Sequence, residues 1–259
     1  METASHDGRT TAYRVVEGDG TGPTVLYVHG SGGVHRVWAK QYAPNGPAHP
    51  AVAVDLSGHG ASDDVETAPG TATLSAYADD VVAVARATDA DVLVGNSLGG
   101  AVAQWVALGG EWRPDALVLL GTGPTLPVFD MLRGWLASDF ERAVEFLHGR
   151  NRLFHADDGR LHERSREAMH AVGRTVTERD FLTCHGFDVT DRLSEIGAPT
   201  LALCGEHDQL IPRSSHERLV AGLPNGEFAV VLDAAHLAMF EQPAVCNGMV
   251  TDFLDARLG

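Results

Sequence analysis

The clearest chemical signal in the chain is a serine between glycines at residues 95–99, which read Gly-Asn-Ser-Leu-Gly. The pattern Gly-x-Ser-x-Gly is typical of a sharp strand-to-helix turn that holds a nucleophilic serine. An apolar run at residues 91–94 precedes it, and an apolar stretch at residues 98–108 follows. This context predicts that Ser97 is a nucleophile above a sheet, at a helix N-terminus where developing negative charge is favoured.

A serine hydroxyl is a weak nucleophile and needs a neighbouring base. His236 is the candidate, because it follows an apolar, strand-like run at residues 227–232. Ligands of α/β sheets bind beyond the carboxyl ends of the strands. His236 and Ser97 are therefore expected at the same edge of the sheet.

The base in turn needs an acid that orients the imidazole and stabilises its charged form. Asp208 follows another strand-like run, at residues 199–204, and Glu206 is the rival acid. The order Ser97, Asp208, His236 matches the serine–acid–histidine order known for such turns. Asp208 is favoured over Glu206. His207 is a candidate only for a supporting hydrogen bond.

The oxyanion of a tetrahedral intermediate needs preorganised N–H donors. The backbone N–H of Leu98 is one candidate. A second is expected from residues 29–33, which read His-Gly-Ser-Gly-Gly, with Ser31 as first choice and Gly32 as second. His59, in another glycine-rich loop, is interpreted as structural because His236 already supplies a base.

The elements that position these residues follow from the hydropathy pattern. Apolar runs alternate with amphipathic stretches, which predicts a mostly parallel sheet covered by helices on both faces. The predicted core strands are residues 23–28, 51–55, 91–95, 115–120, 199–204 and 227–232. Residues 11–17 are predicted to form an antiparallel edge strand. The predicted helices are residues 74–87, 98–108, 214–223 and 243–258.

One stretch, between residues 123 and 187, contains no strand-like run. Helical segments are predicted there at residues 129–136, 139–147 and 161–172. The pattern divides the chain into a core of residues 1–122 and 188–259 and a helical lid of residues 123–187. Most apolar side chains of the lid are expected to pack onto the core, and some to line an apolar pocket. They include Phe129, Met131, Leu132, Trp135, Phe140, Phe146, Leu147 and Phe154.

Composition excludes several partners. The chain has 259 residues and a formal charge of −16, which disfavours binding to nucleic acid or to an anionic membrane.

The basic residues of the chain are 18 Arg and one Lys. Acidic excess with so little Lys favours adaptation to a high-salt cytoplasm, and arginine codons of a GC-rich genome are the alternative. Activity and folding measured from low to multimolar KCl distinguish the two.

Targeting and metal signals are weak. The polar N-terminus lacks the apolar core of a signal peptide, and no apolar run approaches the length of a membrane span. A soluble cytoplasmic protein is therefore expected.

The three cysteines, Cys184, Cys204 and Cys246, are too sparse for a disulfide framework. Without Cys-x-x-Cys or His-Glu-x-x-His, a zinc site has no support in the sequence. No cofactor is expected either, because a serine nucleophile with its base and acid needs none.

Taken together, the motifs resemble the α/β-hydrolase superfamily, in its lidded branch of small serine esterases and related hydrolases. The resemblance is carried by residues 29–33, 55–62, 95–100, 205–208 and 235–236. It implies an α/β-hydrolase fold and cleavage of carboxylic esters of small to medium apolar substrates through an acyl-enzyme. Relatives that open epoxides or remove halide carry Asp at the nucleophile position, so Ser97 disfavours those reactions.

Other functions stay open at this point. The first motif also resembles hydrolases that cleave carbon–carbon bonds of ring-fission products, for which Arg133, Arg150 or Arg152 is the candidate cationic clamp. A lactonase, lyase or perhydrolase is a further alternative. A ligand receptor on a hydrolase scaffold is the remote one, because the catalytic set of residues is complete.

Overall fold

The computed structural model describes residues 1–18, 22–42 and 49–259. Within these residues the chain forms an eight-stranded sheet in the order β1-β2-β4-β3-β5-β6-β7-β8. Strands β1 and β2 pair antiparallel with their neighbours, and strands β3 to β8 pair in parallel. The strands are β1 (Glu2–His6), β2 (Arg9–Val16), β3 (Val25–Val28), β4 (Ala51–Val54), β5 (Val92–Asn96), β6 (Ala116–Leu120), β7 (Thr200–Gly205) and β8 (Gly226–Val231).

The central strands are apolar at successive positions because helices cover both faces of the sheet. Every residue of β3 to β7 is buried. Each predicted core strand is confirmed to within two residues at either end.

The prediction of an edge strand at residues 11–17 is wrong in one respect. The strand β2 is antiparallel as predicted, but β1 pairs along its outer side and forms the edge. The two strands are joined by Asp7 and Gly8, with φ values of 46° and 75°. Asp-Gly with positive φ at both positions is the preferred two-residue hairpin turn. This dipeptide was the signal for the hairpin.

Helices lie on both faces. On one face, α2, α3 and α8 pack Tyr77, Val102 and Leu219 against the sheet. On the other, α10 packs Phe253 and Leu254. The helices are α1 (Ala39–Tyr42), α2 (Thr71–Ala87), α3 (Leu98–Gly109), α4 (Asp130–Ser138), α5 (Phe140–Leu147), α6 (Gly159–Val172), α7 (Arg174–His185), α8 (Arg213–Gly222), α9 (Ala238–Glu241) and α10 (Pro243–Leu258).

The regular elements between β6 and β7 are helical: α4 to α7, followed by a 3-10 helix at Thr190–Glu195. Helix α7 was not predicted, because its buried face carries Thr177, Asp180 and Thr183 in place of an apolar stripe. The insert has its own apolar cluster, which includes Leu132, Leu147 and Phe154. Phe129 and Met131 are exposed. The division of the chain into core and lid stays a prediction.

The insert cluster also reaches the core. Half-buried Leu210, Leu237 and Phe240, which follow β7 and β8, pack against it. The insert is therefore joined to the loops at the carboxyl ends of these two strands.

Candidate active site

The turn at Ser97 has the strand–turn–helix setting that its motif predicts. Strand β5 ends at Asn96, and α3 begins at Leu98. Ser97 lies between them with φ 56° and ψ −116°, a backbone conformation that residues other than glycine rarely adopt. A Cβ at Gly99 would lie 2.6 Å from the His29 carbonyl oxygen and would collide with that of Val28. The glycine of the motif is thus required by a close approach of two backbones.

Asp208 and His236 meet beyond the ends of β7 and β8. The Nδ1 atom of His236 lies 2.8 Å from Oδ2 of Asp208, and both side chains are buried. The other carboxylate oxygen accepts the backbone N–H groups of Leu210 and Ile211 at 2.8 and 2.9 Å. These bonds fix the carboxylate, so His236 donates from Nδ1 and keeps Nε2 free to accept a proton.

The rival acid, Glu206, points elsewhere. Its carboxylate accepts the backbone N–H of Asp233 at 3.2 Å. His207, the candidate for a supporting hydrogen bond, lies 3.6 Å from Glu206 through Nε2. Neither side chain contacts the His236 imidazole by a hydrogen bond within the described residues. The geometry therefore pairs His236 with Asp208.

Ser97 and His236 border one cavity of about 1060 Å³. Gly30, Ser31 and Gly32 of the loop after β3 border it as well. A Cβ at Gly30 would lie 3.1 Å from Cβ of Ser97, so this loop passes directly beside the nucleophile. The structure thus brings three of the five predicted site residues, Ser31, Ser97 and His236, to the wall of one cavity. Asp208 lies behind His236, and Leu98 follows Ser97 in the chain.

The N–H groups proposed for the oxyanion differ in their partners. Those of Ser31 and Leu98 have no hydrogen-bond acceptor among the described residues. The N–H of Gly32, the second choice in the loop, donates to Oδ2 of Asp180 at 2.9 Å. Gly32 is thus already engaged, and Ser31 is the free donor of the pair.

Histidines behind the loop hold it in place. His29 donates from Nδ1 to the Gly30 carbonyl at 2.9 Å and accepts the Leu56 N–H at Nε2 at 3.1 Å. Burial lowers the pKa of His29 to about 4, so the ring is neutral and can play both roles. His59 is fully buried and lies 2.9 Å from Asp180 through Nε2. This position fits the structural role expected for His59.

One residue of the site had no clear sequence signal. Glu241 accepts the N–H of Ala235 at 2.7 Å with one carboxylate oxygen. With the other oxygen it accepts the N–H groups of His155 and Ala156, both at 2.8 Å. Glu241 therefore ties the loop that carries His236 to the insert. Periodicity could not find it, because its partners are backbone groups from two distant segments.

The insert also contacts the histidine loop directly. The N–H of His236 donates to the Arg152 carbonyl at 3.1 Å, and that of Leu237 donates to the Leu153 carbonyl at 3.0 Å. The base is thus held from one side by the insert backbone and from the other by Asp208.

The predicted cationic clamp is corrected by the structure. Arg133 pairs with Asp130, and the guanidinium of Arg152 lies 3.5 Å from the ring centroid of Phe146. Neither these two nor Arg150 is among the described residues that line the cavity. Arg164, on α6, does line it, as do Arg36 and Lys40. All three are exposed, and so is Glu167, an acidic residue that also lines the cavity.

A cluster of possible metal ligands lies nearby. The ligand atoms of His155, His207 and Asp233 are all within 4.8 Å of one another. The two imidazole rings are stacked, with centroids 3.8 Å apart and planes at 20°. A metal ion lies in the plane of each imidazole that binds it, so stacked rings must rotate before they can share one ion.

No helix in the described part of the chain is both long and apolar enough to span a bilayer.

The sheet order, the serine on a strained turn and the paired histidine and carboxylate define a protein of the α/β-hydrolase class. A family model described as alpha/beta hydrolase family matches residues 25–248. The chain belongs to this family, and the predicted α/β-hydrolase fold is confirmed.

Similar proteins are hydrolases with different substrates. A 2-hydroxy-6-oxononadienedioate/2-hydroxy-6-oxononatrienedioate hydrolase of Cupriavidus pinatubonensis is 30% identical, over 89% of this chain and 86% of that protein. A putative carbamate hydrolase, RutD, of Agrobacterium fabrum is 27% identical, over 91% and 94%. The solved structure of a thermophilic esterase is 31% identical, with a TM-score of 0.86 over 98% and 97% of the two chains.

Proposed function

We propose that this hydrolase cleaves carboxylic esters of small to medium apolar substrates, with Ser97 as nucleophile and no cofactor. One observation carries the proposal. The strained Ser97 and His236, which is paired with the buried Asp208, border a single cavity, and most of the wall of that cavity is apolar.

Acylation begins when Oγ of Ser97 attacks the ester carbonyl carbon and a new C–O bond forms. His236 takes the hydroxyl proton on Nε2, and Asp208 stabilises the resulting imidazolium through Nδ1. The carbonyl oxygen becomes an oxyanion, which the N–H groups of Ser31 and Leu98 stabilise. The bond to the alcohol then breaks, and His236 gives its proton to the departing oxygen.

Deacylation repeats these steps with water. His236 removes a proton from the water as its oxygen attacks the acyl carbon of the ester on Ser97. The second tetrahedral intermediate uses the same two N–H donors. Its collapse breaks the bond to Ser97, which recovers a proton from His236, and the carboxylic acid leaves.

The cavity wall supports an apolar acyl or alcohol group. Residues from the insert form one side of the wall, and residues after β7 and β8 form another. We therefore propose that the insert acts as a lid over the substrate. Apolar residues of the wall include Leu126, Val128, Leu132, Phe154, Leu161, Met169, Val172, Phe181, Leu210, Ile211, Leu237 and Phe240.

The test is a panel of aryl esters of increasing acyl length, together with lactones, assayed with the wild type and Ser97→Ala. A fluorophosphonate probe is expected to label the wild type at Ser97. Ser97→Ala is expected to lose activity by about 10³-fold or more while it stays folded. Asp233→Asn, an exposed residue of the same loop as His236, is the matched control and is expected to keep its activity. Ester hydrolysis by Ser97→Ala at the wild-type rate would falsify the assignment.

A second candidate is hydrolysis of a carbon–carbon bond. It is favoured by the 30% sequence identity to the 2-hydroxy-6-oxononadienedioate hydrolase of Cupriavidus pinatubonensis. It is also favoured by Arg164, a cation that lines the cavity. A ring-fission dienoate added to the panel separates the two functions. Faster turnover of the dienoate than of any ester, with loss of that turnover in Arg164→Gln, supports the second candidate.

A further inference from the structure

Asp180 is a fully buried carboxylate that the proposed mechanism does not use. It lies on α7 of the insert, and both oxygens are occupied. Oδ2 accepts the N–H of Gly32 at 2.9 Å and lies 2.9 Å from Nε2 of His59. Oδ1 accepts the hydroxyl of Tyr77 at 2.7 Å. Burying a carboxylate costs free energy even when its oxygens are paired. We therefore expect this carboxylate to have a role at the neighbouring loop.

The contact with Gly32 bears directly on the oxyanion donors. Gly33 donates its N–H to the Gly30 carbonyl at 3.1 Å, which closes a turn over residues 30–33. Gly32 is the third residue of this turn, with φ +64°, as a type II turn requires. Asp180 takes the Gly32 N–H, and the turn takes the Gly33 N–H. Of the N–H groups of residues 31–33, that of Ser31 is left for the substrate.

We infer that Asp180 is a positioning residue that fixes the loop of residues 30–33 so that the Ser31 N–H faces the substrate oxyanion. The inference rests on the proposed function. Without the carboxylate, the peptide between Ser31 and Gly32 loses the acceptor that sets its plane. The loop is then free to turn a different N–H toward the cavity.

A second contact from the same helix supports this role. The Cys184 thiol, one helical turn after Asp180, lies 3.6 Å from the hydroxyl of Ser31. Burial raises the pKa of this thiol to about 12, so it acts as a neutral neighbour and not as a thiolate. Helix α7 therefore holds both the backbone and the side chain of the loop. The insert forms part of the oxyanion site as well as the cavity wall.

The charge of Asp180 is balanced close by. His59 faces it at 2.9 Å, and its pKa is raised because the attraction of Asp180 outweighs the effect of burial. Arg179, the preceding residue on α7, pairs with Asp64 at 2.6 Å. Asp180 therefore faces His59 as the group whose charged form it favours, and that charge offsets its own behind the oxyanion.

The experiment compares Asp180→Ala, Asp180→Asn and Tyr77→Phe in the full chain. Tyr77→Phe removes the partner of Oδ1 and leaves the bond between Oδ2 and Gly32, so it is the matched control. The readouts are kcat and KM for the best ester of the panel, the Ki of a boronic acid, and the thermal midpoint. The boronic acid mimics the tetrahedral intermediate, which the ground-state ester does not.

Asp180→Ala is expected to lower kcat by about 10- to 100-fold, since a displaced donor costs less than a deleted one. KM is expected to stay within about twofold, and the Ki of the boronic acid to rise by the same factor as kcat falls. Asp180→Asn, which keeps an acceptor oxygen, is expected to lie between Asp180→Ala and the wild type. Tyr77→Phe is expected to lose stability but to keep kcat.

The inference is overturned if Asp180→Ala keeps wild-type kcat, or if Tyr77→Phe loses as much kcat at the same loss of stability. If Asp180→Ala does not fold, Asp180→Asn decides: a kcat below that of Tyr77→Phe supports the inference, and an equal kcat overturns it. Failure of the proposed function is seen separately, as wild-type protein that the fluorophosphonate does not label at Ser97.

Discussion

The carboxylate of Glu241 accepts the backbone N–H of Ala235 at 2.7 Å and so holds the residue directly before His236. Its second oxygen holds two N–H groups of the insert, those of His155 and Ala156. A single side chain thus joins the loop of the base to the segment that covers it.

Replacing Glu241 by Ala leaves these N–H groups without their acceptor. Ala235 is buried, and a buried donor that loses its partner costs about 1–3 kcal/mol, so we expect the free energy of unfolding to fall by about that amount. We also expect kcat to fall several-fold, because the loop of His236 is no longer held. Urea denaturation and ester kinetics measure the two effects.

The control for Glu241 is Glu217→Ala, which removes an exposed pair with Arg213. Exposed pairs contribute about 0–1 kcal/mol, so this variant should stay close to the wild type. An equal effect of the two substitutions contradicts the role given to Glu241.

The two acids after β7 provide a matched comparison. Asp208→Asn is expected to lower kcat by about 10³- to 10⁴-fold, because the amide no longer holds the required tautomer of His236. Glu206→Gln is expected to change kcat by no more than a few-fold, since Glu206 contacts the Asp233 N–H. Steady-state kinetics on one ester test both. A larger loss in Glu206→Gln than in Asp208→Asn reverses the assignment of the acid.

Two glycines are expected to respond to alanine in opposite ways. Gly99→Ala should prevent folding or abolish activity, because its Cβ would meet the carbonyl oxygens of Val28 and His29. Gly134 lies exposed within α4, where a Cβ would have no neighbour within 4 Å. Gly134→Ala should therefore stabilise the protein by roughly 0.5–1 kcal/mol. Thermal denaturation decides, and a folded, active Gly99→Ala contradicts the close approach of these backbones.

The pair of His59 and Asp180 gives stability a defined dependence on pH. The folded-state pKa of His59 is raised above its ordinary value of 6.5, although burial opposes the shift, because of the facing carboxylate. A raised pKa means that the folded state holds the proton more tightly than the unfolded state. The stabilisation is therefore complete below pH 6.5 and is lost as the pH rises through the folded-state pKa.

His59→Gln tests this dependence, because the amide can still donate to Asp180 but does not titrate. The difference in free energy of unfolding between wild type and His59→Gln is expected to be largest below pH 6.5 and to shrink toward pH 9. Urea denaturation across this range provides the measurement. A difference that stays constant with pH shows that the pair does not contribute through its charge.

Much of the site was predictable because its residues follow strands. Ser97, Asp208 and His236 each come shortly after an apolar strand, and parallel strands present their carboxyl ends at one edge. The hairpin at Asp7 and Gly8 was also available in the sequence as a dipeptide signal. Apolar periodicity does not predict helix α7, because much of the buried face of this helix is polar.

Local sequence patterns were sufficient to predict the core strands, the serine turn and the order of serine, acid and histidine along the chain. These features depend on local pattern, in which hydropathy and glycine spacing follow the backbone directly. The folded chain was needed to see that Asp208 and not Glu206 faces His236, that Asp180 accepts the Gly32 N–H, and that Arg164 lines the cavity. Such contacts join residues far apart in the chain, and they depend on side-chain direction and packing, which no local pattern encodes.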